Sequence, residues 1–404
     1  MDTVIFLETQ KAGSSREAIK AAERMGYYTV LFTNRASFKE KRGDFSDVHL
    51  LRYLDLSDVE LIRDEINRLI LNGLTVKGIV SFVDPYVYTS CLLAEELGIN
   101  HFTTESIKHM QSKITSRGTL AGTAYSPTYS ILEPDMDLNS LKEELDTWPL
   151  PIVKSPYSTG SKDVFCPTNM DELRLFIKKL RKRNPSSSIL LEEYLNGPQY
   201  LVEAVVQNGQ LKIIAVFEQE INFKERFIIT GYSLKHNLNK GFFHHMEQAV
   251  DEIIKLHRFK DGACHLELRY CNKQWKLIEI NPRISGGAMN RMIEIGLGIN
   301  LIEEELKMAM GITPDFTLKH EKPVFTQYVT VDSIGTLLKV TGKNKALASQ
   351  GVEEVYVKPK KGALLQPPRS MGHRYAYVIA TGETEKEAKQ NAKAAASHLR
   401  FYME

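Results

Sequence analysis

The chain has 404 residues, of which 43% are hydrophobic and 25% charged, and a formal net charge of +2. That length exceeds one ordinary domain and implies two to four compact units able to bury a sizeable core. The near-neutral charge gives no bulk argument for a nucleic-acid or membrane partner, and no stretch approaches the apolar length of a membrane span. The cysteines Cys91, Cys166, Cys264 and Cys271 lack CxxC spacing and read as small core residues of a reducing compartment. The sequence opens directly on a strand-like run without a basic leader, so a cytoplasmic protein is expected.

Residues 1–110 alternate strand and helix. Apolar runs at 4–7, 28–33, 48–51 and 78–83 read as strands. Residues 14–25, 56–71 and 85–97 carry helical spacing, with Ser14 or Ser15 and Ser57 as caps and Asn72-Gly73 as a stop. This rhythm predicts a parallel sheet with helices on both faces. The segment ETQKAGSS after the first run has one glycine and no GxGxxG, which argues against a dinucleotide site. Asp84 follows a central strand, where open α/β sheets bind ligands; before Pro85 it reads more simply as a helix N-cap.

Residues 101–125 form a helical connector containing Lys113 and Arg117. A strand at 128–132, a helix at 138–147 and a short strand at 151–154 follow. The loop SPYSTGSKD (155–163) is rich in hydroxyls and small residues, whose backbone N–H groups can close over phosphates; alone it reads as a surface hairpin. The helix at 171–183 has acids in its first turn and KKLRKR in its last. That order complements the helix dipole, so the basic run needs no nucleic acid. ILLEEYL (189–195) is a buried strand, and strands at 200–207 and 212–217 join through Asn208-Gly209, a strong hairpin signal. A helix at about 242–259 follows.

Residues 262–287, GACHLELRYCNKQWKLIEINPRISGG, read as two strands around a polar break at Asn272-Lys273-Gln274. His265, Glu267 and Arg269 share one face of the first strand, and Glu279, Asn281 and Arg283 one face of the second. A three-residue loop sets Glu267 opposite Glu279 and His265 opposite Asn281; a two-residue loop is expected to put the acids on opposite faces. Opposed like charges cost about 0.2–1 kcal/mol, which a hard divalent cation with oxygen ligands offsets. The alternative is a solvated hairpin face over a core of Leu266, Leu268, Ile278 and Ile280. Beyond Arg283, Ser285-Gly286-Gly287 leads into a helix, as an anion site or as a plain tight turn. The remainder, with strands at 324–331, 336–340 and 375–380 and a helix at 385–399, reads as a small α+β module.

The order of these elements is a helix lysine (Lys113), a strand lysine (Lys154), a small-residue loop, EEYLNGPQY, then HLE and EINPR. It resembles the ATP-grasp superfamily, and more narrowly the L-amino-acid ligases, from about residue 113 to 311. The N-terminal sheet fits the family's preceding domain, and the tail YVIATGETEKEAKQNAKAA resembles its C-terminal module. The resemblance implies an α/β (α+β) chain with the ATP-grasp fold. It is divided into an N-terminal parallel-sheet domain (1–110), a lid subdomain (111–190), a metal- and nucleotide-holding catalytic subdomain (191–315) and a C-terminal α+β module packed on it (316–404).

Residue by residue, the resemblance implies that Lys113 and Lys154 contact ATP phosphates beneath the loop that contains Ser161. Glu192 is expected to accept from the adenine amino group, the backbone of Tyr194 and Leu195 to read the adenine edge, and Gln199 to hold the ribose. Glu267, Glu279 and Asn281 are the magnesium ligands, with manganese as a substitute. Arg283 is the catalytic residue that stabilises charge on the transferred phosphoryl group. Gly286 and Gly287 approach the amino acid or its acyl phosphate, and Glu203 contacts substrate or phosphate. Two departures stand out: Gln199 replaces a glutamate common in the family, and Asp163 a glycine. Phosphoryl transfer is mostly positioning and charge neutralisation, and these are the residue types it needs.

The leading reading is an ADP-forming carboxylate–amine ligase that joins two amino acids through an acyl phosphate. A carboxylase or purine-pathway ligase of the same fold is the first alternative, and a non-catalytic nucleotide-binding protein the second. The lysines, the paired acids and Arg283 argue against the latter. His236 and His265 are each a candidate base for the incoming amine or a packed structural histidine. Acids at Asp84, Glu203, Glu218 and Glu220 make a basic substrate conceivable. The expected partners are ATP and amino acids, with no nucleic acid or membrane, in a homodimer as the common assembly.

Overall fold

The computed structural model describes residues 1–141, 150–158, 163–223 and 227–404. Strands β1 (Asp2–Leu7), β2 (Tyr28–Thr33), β3 (Leu50–Tyr53) and β4 (Thr75–Val80) form a parallel sheet in the order β3-β2-β1-β4. Both faces are covered, which explains the unbroken apolar runs. Val4 and Phe6 pack with Ala18 and Ile19 of the helix Ser14–Arg24, whereas Ile5 and Leu7 pack with Ile62 and Ile66 of the helix Val59–Leu71. The expected serine caps are not used. Gly13, at φ 86°, starts the first helix without a side-chain cap, and Asp58 caps the other. Asp84 does not cap either: it opens a short 3-10 turn, Asp84–Tyr86, and its carboxylate turns toward Arg283.

Strands β5 (Tyr129–Leu132), β6 (Ile152–Lys154), β7 (Val164–Phe165) and β8 (Ile189–Glu192) form an antiparallel sheet in the order β5-β8-β6-β7. The helix Met170–Arg183, capped by Asn169, lays Leu173, Ile177 and Leu180 on Leu132, Val153 and Leu191. Of the helix expected at 138–147, the 3-10 turn Leu138–Leu141 is seen; residues 142–149 lie outside the described residues.

The largest sheet has eight antiparallel strands. It contains β9 (Gln199–Gln207), β10 (Gln210–Phe223), β11 (Phe227–Leu234), β12 (Gly262–Cys271), β13 (Gln274–Asn281), β14 (Val324–Val329), β16 (Val352–Val357) and β18 (Ala376–Thr381), in the order β13-β12-β9-β10-β11-β14-β18-β16. A small sheet of β17 (Leu364–Leu365), β15 (Gly335–Thr341) and β19 (Arg400–Met403) flanks it. Strand β11 was not anticipated; through its pairing with β14, three C-terminal strands continue the central sheet. Asn208 and Gly209 turn β9 into β10 with φ 51° and 74°, as their pairing requires.

The β12–β13 connection corrects one expectation and keeps its consequence. The loop has two residues, Asn272 and Lys273, both in the left-handed region (φ 50° and 61°). A regular two-residue hairpin would separate the acids. Instead the register shifts between Glu267 and Leu268: Leu268 faces Leu277, Glu267 faces Glu279 and His265 faces Asn281. Ile278 is the extra residue of a β-bulge, and it restores the pairing that the short loop would have lost.

Candidate active site

A cavity of about 280 Å³ lies between the antiparallel four-stranded sheet and the eight-stranded sheet. Lys113, Lys154, Glu192, Tyr194, Leu195, Gln199, Glu267, Glu279, Gly286 and Gly287 all line it, so ten of the expected site residues converge from four separate stretches. Asn281 lies one step beyond Glu279 on the same face of β13. Ser161 lies outside the described residues.

At one end, Glu267 and Glu279 oppose each other. Burial, and then the neighbouring charge of Glu279, push the Glu267 carboxyl above the usual range; His265, Lys113 and Lys154 counter only part of it. Lys113, the first residue of the helix Lys113–Thr119, reaches Glu279 Oε1 at 3.1 Å and the Ser158 carbonyl at 2.9 Å. Gln199 donates to Glu267 Oε2 at 2.9 Å and accepts from Arg269 Nε at 3.2 Å. Glu267 and Glu279, with Asn281 at the next position on the same face of β13, are hard-oxygen residue types of the kind that suits a magnesium ion.

The opposite wall holds a second acid in a different state. Glu192, at the end of β8, is 3% exposed and sits between Arg117 Nε at 2.6 Å and Lys154 Nζ at 2.5 Å. Burial alone would raise its pKa, but the two cations outweigh that and hold the carboxyl below the ordinary range. Each of its oxygens is engaged by one cation, so Glu192 reaches the cavity wall as the partner of Arg117 and Lys154. Arg117, which the sequence named without a role, also donates to the Ile278 carbonyl at 2.7 Å and so holds the bulge. The carbonyl of Leu195 accepts from Arg269 Nη1 at 2.5 Å, and the Arg269 guanidinium lies over the Tyr194 ring.

The glycine turn is held from three directions. Glu203 is fully buried; it bonds His265 Nδ1 at 2.6 Å and accepts the Ser285 N–H at 3.1 Å. The expectation that Glu203 touches substrate is therefore corrected: with no exposed surface, it fastens the turn from below. Burial disfavours charge on His265, but Glu203 outweighs it and raises the imidazole above its ordinary pKa, so the two form a buried pair beneath the turn. Ser14 Oγ donates to the Ser285 carbonyl at 2.6 Å, as does Asn290 Nδ2 at 2.7 Å. Gly287 has φ 70°, and a Cβ on Gly13 would come within 3.4 Å of its nitrogen. Arg283 donates through Nε to Asp84 and through Nη1 to the Ile284 carbonyl at 2.8 Å. Burial lowers its pKa and Asp84 more than restores it. His236 lies elsewhere, in a groove with Lys212 and Phe316.

Three family models match the chain: an ATP-grasp N-terminal domain over residues 19–101, an ATP-grasp domain over 152–291, and L-amino acid ligase C-terminal domain 2 over 327–404. The chain belongs to the ATP-grasp superfamily, and its residues 327–404 match the C-terminal domain of the L-amino-acid ligases. As such it is an enzyme of the ADP-forming carboxylate–amine ligase type. An L-arginine-specific L-amino acid ligase of Bacillus subtilis is 22% identical over 321 residues, 77% of this chain and 76% of the relative. The crystal structure of an L-amino acid ligase from Bacillus licheniformis shares the fold with a TM-score of 0.85 at 17% identity, over 100% of this chain and 99% of the other. A phosphoribosylglycinamide synthetase from Anaerococcus prevotii follows the same fold at a TM-score of 0.74 and 14% identity, over 100% of both chains. Within this ATP-grasp ligase, the matched central domain contains Lys154, both opposed acids and the glycine turn, whereas Lys113 lies before it. No helix among the described residues is long and apolar enough to cross a membrane.

Proposed function

We propose that the chain joins two L-amino acids into a dipeptide at the expense of ATP, with magnesium bound by Glu267, Glu279 and Asn281. One observation carries this reading: the opposed Glu267 and Glu279 share a cavity with Lys113, Lys154 and the glycine turn that follows Arg283. The carboxylate of the first amino acid attacks the γ-phosphorus of ATP, the bond to ADP breaks, and an acyl phosphate forms. The amine of the second then attacks the acyl carbon. A C–N bond forms, the C–O bond to phosphate breaks, and phosphate leaves with one proton lost from nitrogen.

Lys113 and Lys154 neutralise phosphate oxygens, and Glu192 keeps Lys154 aimed at them. Bound magnesium supplies Lewis-acid neutralisation of the same oxygens. Tyr194 and Leu195 flank the adenine, with Gln199 between the nucleotide and the metal acids. Arg283, fixed by Asp84, meets the charge that develops at the reacting carboxyl, and the Gly286-Gly287 backbone lets the acyl group approach closely. The enzyme works in the cytoplasm on soluble amino acids, as a homodimer. Measuring ADP release across a panel of amino-acid pairs tests the proposal. Release that needs both an acid and an amine partner is the expected result. Release with bicarbonate or a ribonucleotide carboxylate, and with no amino-acid pair, would overturn it in favour of another ATP-grasp ligase.

A further inference from the structure

The far end of the same cavity holds a cation that none of the steps above uses. Arg374 follows the 3-10 turn Met371–His373 and lines the cavity with Tyr232, Tyr328 and Met371. Its guanidinium carbon lies 3.8 Å from the centre of the Tyr328 ring and 5.9 Å from that of Tyr232, and these rings meet edge to face at 5.7 Å. Nε donates to the Met371 carbonyl at 3.3 Å, which fixes the plane of the group. Nη1 is buried and has no acceptor among the described residues.

The other cavity cations are engaged. Lys113 faces Glu279, Lys154 faces Glu192, and Arg269 is held by Gln199 and the Leu195 carbonyl. Arg374 is held by Tyr232, Tyr328 and the Met371 carbonyl but faces no acid among the described residues: burial disfavours its charge, and Tyr328 and Tyr232, the latter also through a hydrogen bond, outweigh that cost. Burial raises the Tyr328 phenol to about 12, so at neutral pH it supplies no anion. Arg374 is part-buried, but its buried and idle Nη1 is costly unless a ligand completes it, and its planar fork matches a carboxylate.

The position of Arg374 narrows which carboxylate. Tyr328 connects it to the glycine turn: the Tyr328 hydroxyl accepts the Ala288 N–H, and a Cβ built on Gly287 would lie 3.7 Å from it. The turn, with Arg283, is where the acyl group reacts. Tyr328 lies on β14, four strand positions from β12 and its Glu267, so Arg374 sits away from the metal acids. The first amino acid spends its α-carboxylate in the reaction, whereas the second keeps its own, a few bonds from the attacking nitrogen.

We infer that Arg374 is the subsite for the α-carboxylate of the amino acid that supplies the amine. This rests on the ligase reading above and adds that the amine partner must be a free amino acid. Steady-state ADP release is compared with the amine partner supplied as the free amino acid and as its α-carboxamide, in the wild type, Arg374→Lys and Arg374→Ala. Arg374→Ala should raise KM for the free acid roughly ten- to a hundredfold and leave KM for ATP and the carboxamide kinetics unchanged. Arg374→Lys should recover part of the loss. An unchanged KM for the free acid, or an equal change for acid and amide, overturns the assignment. So does an effect seen only when the first amino acid carries an acidic side chain, which would place Arg374 at that side chain. Calorimetric titration of the free amino acid into enzyme holding ADP and magnesium reads the subsite without turnover, and Arg374-independent binding there also overturns it. Arg374-dependent binding without ADP release from any pair would support the subsite and sink the dipeptide chemistry.

Discussion

Glu192 and Glu267 are two glutamates buried in one cavity, and they are held in opposite ways. Glu192 is gripped by Arg117 and Lys154, and its carboxyl sits below the ordinary range. Glu267 faces another acid, takes a neutral amide from Gln199, and sits above that range. Burial acts on both in the same direction, so the difference lies in the partners. The first cluster is complete within the chain and works as a scaffold. In the second, Lys113 reaches Glu279, whereas Glu267 has the neutral Gln199 amide at hydrogen-bond distance and His265 3.9 Å away. Under the proposed function, the first arrangement suits a positioning residue and the second a place for a cation from solution.

The contrast is broken most easily on the scaffold side. Glu192→Gln strands two buried cations, and breaking a buried pair costs about 3–5 kcal/mol. Denaturant unfolding should show that loss at an unchanged m-value, and a loss below 1 kcal/mol (the range of about 0–1 kcal/mol for exposed pairs) would mean that the cluster is solvated. Next in size is Arg283→Ala: if Arg283 meets the developing charge as proposed, its loss should raise the barrier by about 2.7–4 kcal/mol. Turnover then falls while ATP affinity holds; unchanged ADP release at saturating substrates removes Arg283 from the chemistry.

A third acid lies behind Arg283 and sharpens the comparison through pH. Glu305 is buried, receives the Ile284 N–H, has one oxygen without a partner, and is pushed up to about 8 by burial, with Arg283 opposing. Its folded pKa lies above the unfolded carboxylate value, so the folded state keeps a proton that the unfolded state releases. Stability is therefore fully present below the unfolded pKa and falls as pH rises toward about 8, at up to about 1.4 kcal/mol per pH unit. Glu305→Gln should flatten melting temperature against pH across that window; an unaltered profile would show that Glu305 ionises freely.

Much of this was legible in the sequence because it is local. The alternation of His265, Glu267 and Arg269 with apolar residues set one face of β12, and Asn208-Gly209 set a hairpin. The ordered lysines and acids marked one cleft before any geometry was available. What stayed hidden depends on chain segments far apart. Arg117 meets the Ile278 carbonyl 161 residues away, and Arg283 meets Asp84 199 residues away. No periodicity reports such pairs. The bulge at Ile278 was illegible for another reason: a strand with one extra residue looks like any other strand, and only the clash between a two-residue loop and opposed acids could have exposed it. Glu203 was misplaced because a strand pattern gives a face, and this face is sealed by the Ser285 turn. Arg374 stands in a stretch, MGHRY, with no pattern to mark it.

The smallest expected effect decides most about the contrast. Glu267→Gln keeps the shape of the side chain and removes one of two opposed acids. In the absence of divalent cation the folded state should gain about 0.2–1 kcal/mol, because the cross-strand repulsion is gone. Gln199 can still hydrogen-bond the new amide oxygen, so little is lost in exchange. With magnesium present the sign reverses: the wild type should melt higher with increasing ion, as any ligand of the folded state requires, and the variant should not. ADP release should fall in parallel. A loss of stability in the metal-free variant comparable to that of Glu192→Gln would mean that Glu267 is held by its neighbours as tightly as Glu192 is. The two acids would then be one kind of site, and the magnesium end of the cavity would have to be sought around Glu279 and Asn281 alone.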